Sequence, residues 1–307
     1  MNDPRDKTDD RDPPARSPLW LRWVGPITAF ALISRVDLRE IAASLADVRW
    51  QPLALSLMLA APLAVAKAWR WRLLLRACGQ RISLLEASWL YTIAAGAGAL
   101  TPGAVGDFWK GLSPAVGLRS VGLWTSALDR LYDVAILLLL GMTIATAWSP
   151  RGTPRVLVAC GLGGVVLGAF AARRRLLDLA AALLPRFPQA VDALAGHGSV
   201  AAAAAATIVA TIIAFGRFEL LVVALGLPLA WSQVFIAFVL SSGVAALPLS
   251  VAGLGTRDLA LVGYLRGCGV SPVDAIALSS LCLSLFLWNG VIAACLWFAR
   301  PAGLRTD

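Results

Sequence analysis

From Leu19 almost to its end the chain is a succession of apolar stretches, beginning near Leu19, Gln51, Ser83, Ser120, Val156, Val200, Ser232 and Asp274. Most reach the roughly 20 helical residues that a bilayer core requires. Composition agrees, since 59% of the 307 residues are hydrophobic and only 15% are charged, where soluble domains carry about a quarter charged. A water-soluble fold, a disordered chain and a disulfide scaffold are excluded. The expected class is an all-α, polytopic transmembrane helix bundle. A net charge of +9 on so apolar a chain reports orientation and contact with anionic headgroups, so no nucleic-acid partner is expected.

Cysteine and histidine usage excludes further chemistry. Cys78, Cys160, Cys268, Cys282 and Cys295 contain no CxxC pair and are odd in number, so they read as small apolar fillers rather than as disulfides or zinc ligands. The single histidine, His197, leaves no basis for a Ser/His/Asp triad or an HExxH site. No cofactor, metal or catalytic residue is expected.

Residues 1–18 are polar, with Pro13, Pro14 and Pro18 among them, and read as a disordered cytoplasmic tail. They lack the basic start and small-residue cleavage site of a secretory signal, so the stretch from Leu19 is expected to stay as a span. Lys67, Arg70, Arg72, Arg76 and Arg81 mark one cytoplasmic loop, and Arg173, Arg174, Arg175 and Arg186 another. An even number of crossings must separate two loops on the same side, yet three segments lie between them. The stretch Ser83 to Leu100 runs into Thr101-Pro102-Gly103-Ala104-Val105-Gly106-Asp107, a poor exit helix but a good turn. It is therefore expected to dip in and return. Ser232 to Leu247 ends likewise in Pro248-Leu249-Ser250-Val251-Ala252-Gly253-Leu254-Gly255. Irregular backbone at membrane depth is tolerated only where protein buries it or it lines a wet cavity, so each turn implies a site.

Six crossings plus two re-entrant hairpins remain, with both termini cytoplasmic. This places 18 Lys/Arg inside and seven outside, with Arg130 and Arg217 within spans. The order of crossing, crossing, hairpin and crossing then occurs twice, in halves 19–148 and 156–299 of one membrane domain, 19–300, followed by a short cytoplasmic tail, 301–307. Three crossings per half make the repeat inverted, an arrangement many transporters use. The Gly and Ala residues also suit plain close packing of helices. Val36, Leu38, Ile41, Leu45 and Val48 recur at helical spacing, suiting an interfacial helix. Trp69 and Trp71 with Arg70, Arg72 and Arg76 form a boundary belt.

Charged groups inside the membrane are costly and need partners or water. Asp107 and Lys110 follow the first turn, and Asp129, Arg130 and Asp133 sit in the segment from Ser120. Asp129 and Asp133 share a helical face at i, i+4 and repel unless a cation intervenes. Arg130 lies three residues from Asp133 and is expected to reach it, which leaves Lys110 for Asp129. Arg217 and Glu219 lie on different faces and should seek partners elsewhere. Arg257, beside Asp258 in a Gly-rich turn, suits a phosphate or carboxylate. Ion pairs that simply hold helices together are the structural alternative. No nucleophile and base pair is evident.

The runs Pro102-Gly103-Ala104-Val105-Gly106-Asp107-Phe108-Trp109-Lys110, Leu128-Asp129-Arg130-Leu131-Tyr132-Asp133 and Pro248-Leu249-Ser250-Val251-Ala252-Gly253-Leu254-Gly255-Thr256-Arg257-Asp258 together resemble the motifs of the lysylphosphatidylglycerol synthase transmembrane region. This flippase-like family includes the membrane part of the multiple peptide resistance factor and hopanoid-associated membrane proteins. The resemblance covers nearly the whole chain after the tail. It implies translocation of an anionic or modified phospholipid, or a polyprenyl- or hopanoid-type lipid, across the cytoplasmic membrane, with a separate lipid-modifying enzyme as a possible partner. Asp107, Lys110, Arg130, Asp133, Arg257 and Asp258 fall on the family's polar positions. Asp129 and Asp258 stand where the family commonly has Glu, which changes reach and not sign. Only Pro301 to Asp307 follow Arg300, so no synthase activity is expected. The alternatives are a secondary transporter of a small charged solute using intramembrane carboxylates, and a membrane-embedded transferase using Asp107 or Asp129 as base. No GxxxxGK[ST] motif is present, so any driving force would be a gradient or a coupled reaction.

Overall fold

The computed structural model describes residues 46–147, 197–246 and 255–298, all helical or in short connections, with no strand among them. The tail, the stretches from Leu19 and from Val156, most of the interfacial stretch Val36–Val48, the central arginine cluster, Ser250, Gly253 and Cys160 lie outside the described residues. Eight α-helices are described: α1 Trp50–Met58, α2 Ala60–Ala77, α3 Leu84–Leu100, α4 Arg119–Ala147, α5 His197–Ala224, α6 Trp231–Ala246, α7 Thr256–Gly267 and α8 Pro272–Phe298. A 3-10 helix, Pro102–Leu112, follows α3.

Local chemistry accounts for the breaks. α1 and α2 form one apolar span, Trp50–Ala77, interrupted at Leu59. Pro62 has no N–H to give the Met58 carbonyl and its ring crowds it, so the ladder skips there. α3 begins at Ser83, whose hydroxyl accepts from the Glu86 N–H at 3.1 Å, an N-cap that stops the helix growing backwards. Ser271 caps α8 in the same way, accepting from the Asp274 N–H at 3.1 Å. Three helical stretches are long and apolar enough to cross a bilayer, namely Trp50–Ala77, Ala201–Ala224 and Pro272–Phe298. α4 has 29 residues and the length to cross, about 43 Å at 1.5 Å per residue, but carries charges at its middle.

After α3 the chain turns back on itself. The Thr101 hydroxyl donates to the Ala97 carbonyl at 3.1 Å and accepts from the Gly106 N–H at 2.8 Å, which closes the turn. Gly106 lies so close to α3 that a Cβ there would sit 2.3 Å from the Ala97 carbonyl carbon, and one on Gly98 would meet the Asp107 carboxylate at 2.1 Å. Only glycine permits that approach. α6 and α7 likewise pack side by side, and the turn between them is outside the described residues.

The helices form one interlocked bundle with a hydrophobic core in each half. Trp71, Leu75, Ile82, Leu90, Tyr91, Val116 and Val121 build the first. Phe218, Leu221, Phe238, Leu261, Leu265 and Leu278 anchor the second. Contacts between the halves are reciprocal: α1 and α2 pack on α5, α3 packs on α8, and α6 packs on α4. Directions follow from the bonds. Arg49 N donates to Ala224 O and Ser56 Oγ to Arg217 O, so α1 and α2 run antiparallel to α5. Trp71 lies against Thr125, and Lys67 against Asp133, so α2 also opposes α4. Trp89 bonds the Leu296 carbonyl while Gly96 packs on Ala293, so α3 opposes α8.

Candidate functional site

The 3-10 helix that returns from α3 has three residues per turn, so residues i and i+3 eclipse one another. Asp107 and Lys110 therefore project along one edge, toward α4. That edge seats closely because Gly111 and Gly122 bring the two backbones together, leaving only 2.1 Å between a Cβ on Gly122 and the Gly111 carbonyl oxygen. On α4, Asp129 and Asp133 occupy one face, and α2 supplies Lys67 and Arg70 from the other side. Four cations and three carboxylates from three segments thus meet in an otherwise apolar bundle.

Asp129 is the hub. Its Oδ1 accepts from Arg70 Nε at 2.7 Å and its Oδ2 from Lys110 Nζ at 2.6 Å. Arg70 also reaches Asp133 Oδ1 through Nη1 at 2.7 Å, and Lys67 Nζ holds Asp133 Oδ2 at 2.8 Å. Arg70 Nη1 further donates to Thr207 Oγ1 of α5 at 3.2 Å, tying the two halves together. Lys110 lies over the Tyr91 ring, 4.1 Å from its centroid, a cation–π contact strengthened by desolvation. Arg70, Lys110 and Asp129 are each at most 1% exposed. The other groups form a more open rim. The Lys67 and Asp133 side chains are each 25% exposed, and Arg130 and Asp107, paired at 2.5 Å, are 31% and 17% exposed. Buried, hydrogen-bonded charges are thus continuous with accessible ones, an arrangement in which an incoming charged group can exchange with the rim pairs while the hub stays neutralised.

The second half carries a smaller group. Arg257, 1% exposed, opens α7 and donates from Nη2 to the Ser279 carbonyl of α8 at 3.1 Å, with Asp258 Oδ1 at 3.6 Å. Asp258 accepts from the Gly255 N–H at 2.9 Å and from the Ser279 hydroxyl, so it works chiefly as the N-terminal anchor of α7. Arg217 on α5 is 5% exposed and donates from Nε to the Ser56 carbonyl of α1 at 2.9 Å. Ten residues of α5 separate Thr207 from Arg217, about 15 Å along the axis, so the two groups are separate.

Several expectations are corrected here. Lys67, Arg70, Arg72 and Arg76 belong to α2 and not to a loop, and Lys67 and Arg70 are part of the charged cluster. Trp71 is fully buried while Trp69 is 41% exposed, so the belt divides between core and boundary. Arg130 pairs with Asp107 across the segments, while Lys67 and Arg70 hold the two oxygens of Asp133. Lys110 does supply the cation that Asp129 requires. Of the remaining residues singled out by sequence, Pro102 and Gly103 open the 3-10 helix, Gly106 closes the hairpin and Gly255 caps α7. Glu219 is half-buried and has no ion pair among the described residues. Lys67, Arg70 and Thr207 were missed. The signal for the first two was their i, i+3 spacing in a stretch without Gly or Pro from Leu63 to Ala77.

Among the described residues no group of His, Cys, Asp and Glu is placed to hold a metal ion. No curated protein and no solved structure matches the chain. The family model for the lysylphosphatidylglycerol synthase TM region matches residues 22–294, which is nearly all of the sequence, and includes both charged groups. The chain is a membrane-embedded, helical member of that lipid-handling family.

Proposed function

We propose that the protein translocates a charged or modified lipid across the cytoplasmic membrane, its headgroup moving along the charged rim while the acyl chains stay in lipid. The observation that carries this reading is the junction of Arg70, Lys110 and Asp129, fully buried, with the part-exposed pairs Lys67–Asp133 and Arg130–Asp107. A purely structural network has no need of a graded, half-open side. The rim offers both signs, which suits a headgroup with phosphate and amine.

The reciprocal packing supports an inverted repeat in which α1 and α2 correspond to α5, the first hairpin to α6 and α7, and α4 to α8. The antiparallel run of α1 and α2 against α5 supports this reading, in which the two hairpins would enter from opposite faces, the geometry of alternating access. Termini on the cytoplasmic side remain favoured. Removing the ion-paired Lys67, Arg70 and Lys110 from the inner 18 and the buried Arg257 from the outer seven leaves 15 against six.

The test is movement of a headgroup-labelled phospholipid in proteoliposomes, read by quenching with a reagent that cannot cross the bilayer. The protein should accelerate loss of inner-leaflet signal, and Arg130→Gln should slow it about tenfold or more, equivalent to about 1.4 kcal/mol of barrier. No acceleration over empty vesicles, in the presence or absence of a proton gradient, would overturn the assignment. Uptake of a small charged solute without lipid movement would favour the solute-transporter reading.

A further inference from the structure

The two charged groups match in register. The same 147 positions separate Arg70 from Arg217, Lys110 from Arg257, and Gly96 from Gly243. Between the last helices the interval is 153, which pairs Ser126 with Ser279 and Asp129 with Cys282. The correspondence is physical as well as numerical. Cys282, 6% exposed, sits on α8 one turn beyond Ser279, whose carbonyl Arg257 bonds, and α8 packs on α5, where Phe218, next to Arg217, shares a core cluster with Cys282, much as Asp129 lies between Arg70 and Lys110. The second half therefore keeps both cations and has a neutral thiol where the first half has its hub carboxylate.

The balance of charge differs accordingly. Arg257 has Asp258 beside it. Arg217 has no carboxylate within ion-pair distance among the described residues, its Nε is committed to the Ser56 carbonyl, and its Nη2 is buried with no hydrogen-bond partner. An unpaired guanidinium away from water is strongly unfavourable, and an external anion relieves that cost. Cys282 adds no negative charge that would oppose it. We propose that Arg217, with Arg257 and Cys282, forms a second anion site that takes a phosphate- or carboxylate-class group from outside the chain. The first-half hub, by contrast, is closed by its own Asp129. This deepens the lipid-translocation reading and rests on it only for the source of the anion.

The experiment is equilibrium binding to the full-length protein in neutral detergent, followed by intrinsic tryptophan fluorescence, with inorganic phosphate and short-chain phosphatidylglycerol as separate probes. Cys282→Asp supplies the missing carboxylate and should weaken binding at least about tenfold, because a like charge placed beside the anion repels it and a buried site screens that repulsion far less than water does. Cys282→Ser should bind like the parent. Tighter binding of the lipid assigns the anion to a headgroup, tighter binding of phosphate assigns it to a free solute, and either supports the site. Equal affinity of parent and Cys282→Asp, or no saturable binding of either probe, overturns it. If Cys282→Asp does not yield monodisperse protein, Arg217→Gln decides. It keeps a donor for Ser56 but not the charge, so it should lose binding, and retained affinity overturns the site. Binding in detergent needs no translocation, so lipid movement that persists beside a silent Cys282→Asp result removes this site alone.

Discussion

Replacing Asp129 with Asn is the sharpest perturbation of the cluster. Size is conserved and one charge is removed, but that charge is the shared partner of Arg70 and Lys110 at 2.7 and 2.6 Å. Arg70 retains Asp133, whereas Lys110 keeps only its aromatic neighbours and an amide. Breaking a buried pair by removing one member costs about 3–5 kcal/mol, because the other charge stays buried and uncompensated. For a chain of this size that corresponds to a fall in Tm of about 5–10 °C. The assay is thermal unfolding in detergent, followed by loss of the monodisperse peak. Adding Lys110→Met removes the stranded cation, so the double variant should be more stable than Asp129→Asn alone. Such a reversal is the signature of direct coupling. Strictly additive losses, or an unchanged Tm in Asp129→Asn, would refute the hub.

Gly122→Ala should displace the 3-10 helix from α4, because its Cβ meets the Gly111 carbonyl oxygen at 2.1 Å; a loss of about 1–3 kcal/mol in thermal unfolding is expected, where no change would show that the segments are not in contact. Ser279→Ala removes the hydroxyl donated to Asp258 and should cost about 1–2 kcal/mol, visible in the same measurement. Cysteines introduced at the exposed positions Arg81 and Pro228, in the connections that precede α3 and α6, should label from opposite sides of the membrane with an impermeant maleimide; labelling from the same side would contradict the inverted arrangement.

Segment starts were legible because each is written in local chemistry. The described elements begin at Trp50, Leu84, Arg119, Trp231 and Pro272, within two residues of the starts at Gln51, Ser83, Ser120, Ser232 and Asp274. Ser83 and Ser271 are short-range caps, and Pro102 breaks a helix wherever it stands. The Lys110–Asp129 pair was legible too, since two anions at i, i+4 demand a cation. The partners of Lys67 and Arg70 were not. A basic run after an apolar stretch reads as a cytoplasmic loop, and only the antiparallel seating of α2 on α4 puts Lys67 and Arg70 beside Asp133. Arg130 illustrates the same limit. Along the helix the sequence offers it Asp133, and only the seating of the 3-10 helix on α4 brings Asp107 within its reach. Cys282 was legible as a buried apolar filler and illegible as the counterpart of a carboxylate, because that role depends on which cations α5 and α7 bring to it.

The most direct test is to ask whether a headgroup visits the charged rim. A phospholipid bearing a photoreactive group on its headgroup can be crosslinked to the protein in vesicles and the adducts mapped by mass spectrometry. Adducts should fall on the peptides containing Asp107 and Asp129 to Asp133, which lie at mid-length in their segments. Adducts confined to the helix ends, such as Cys78–Ser83 and Gly226–Ala230, would contradict the path.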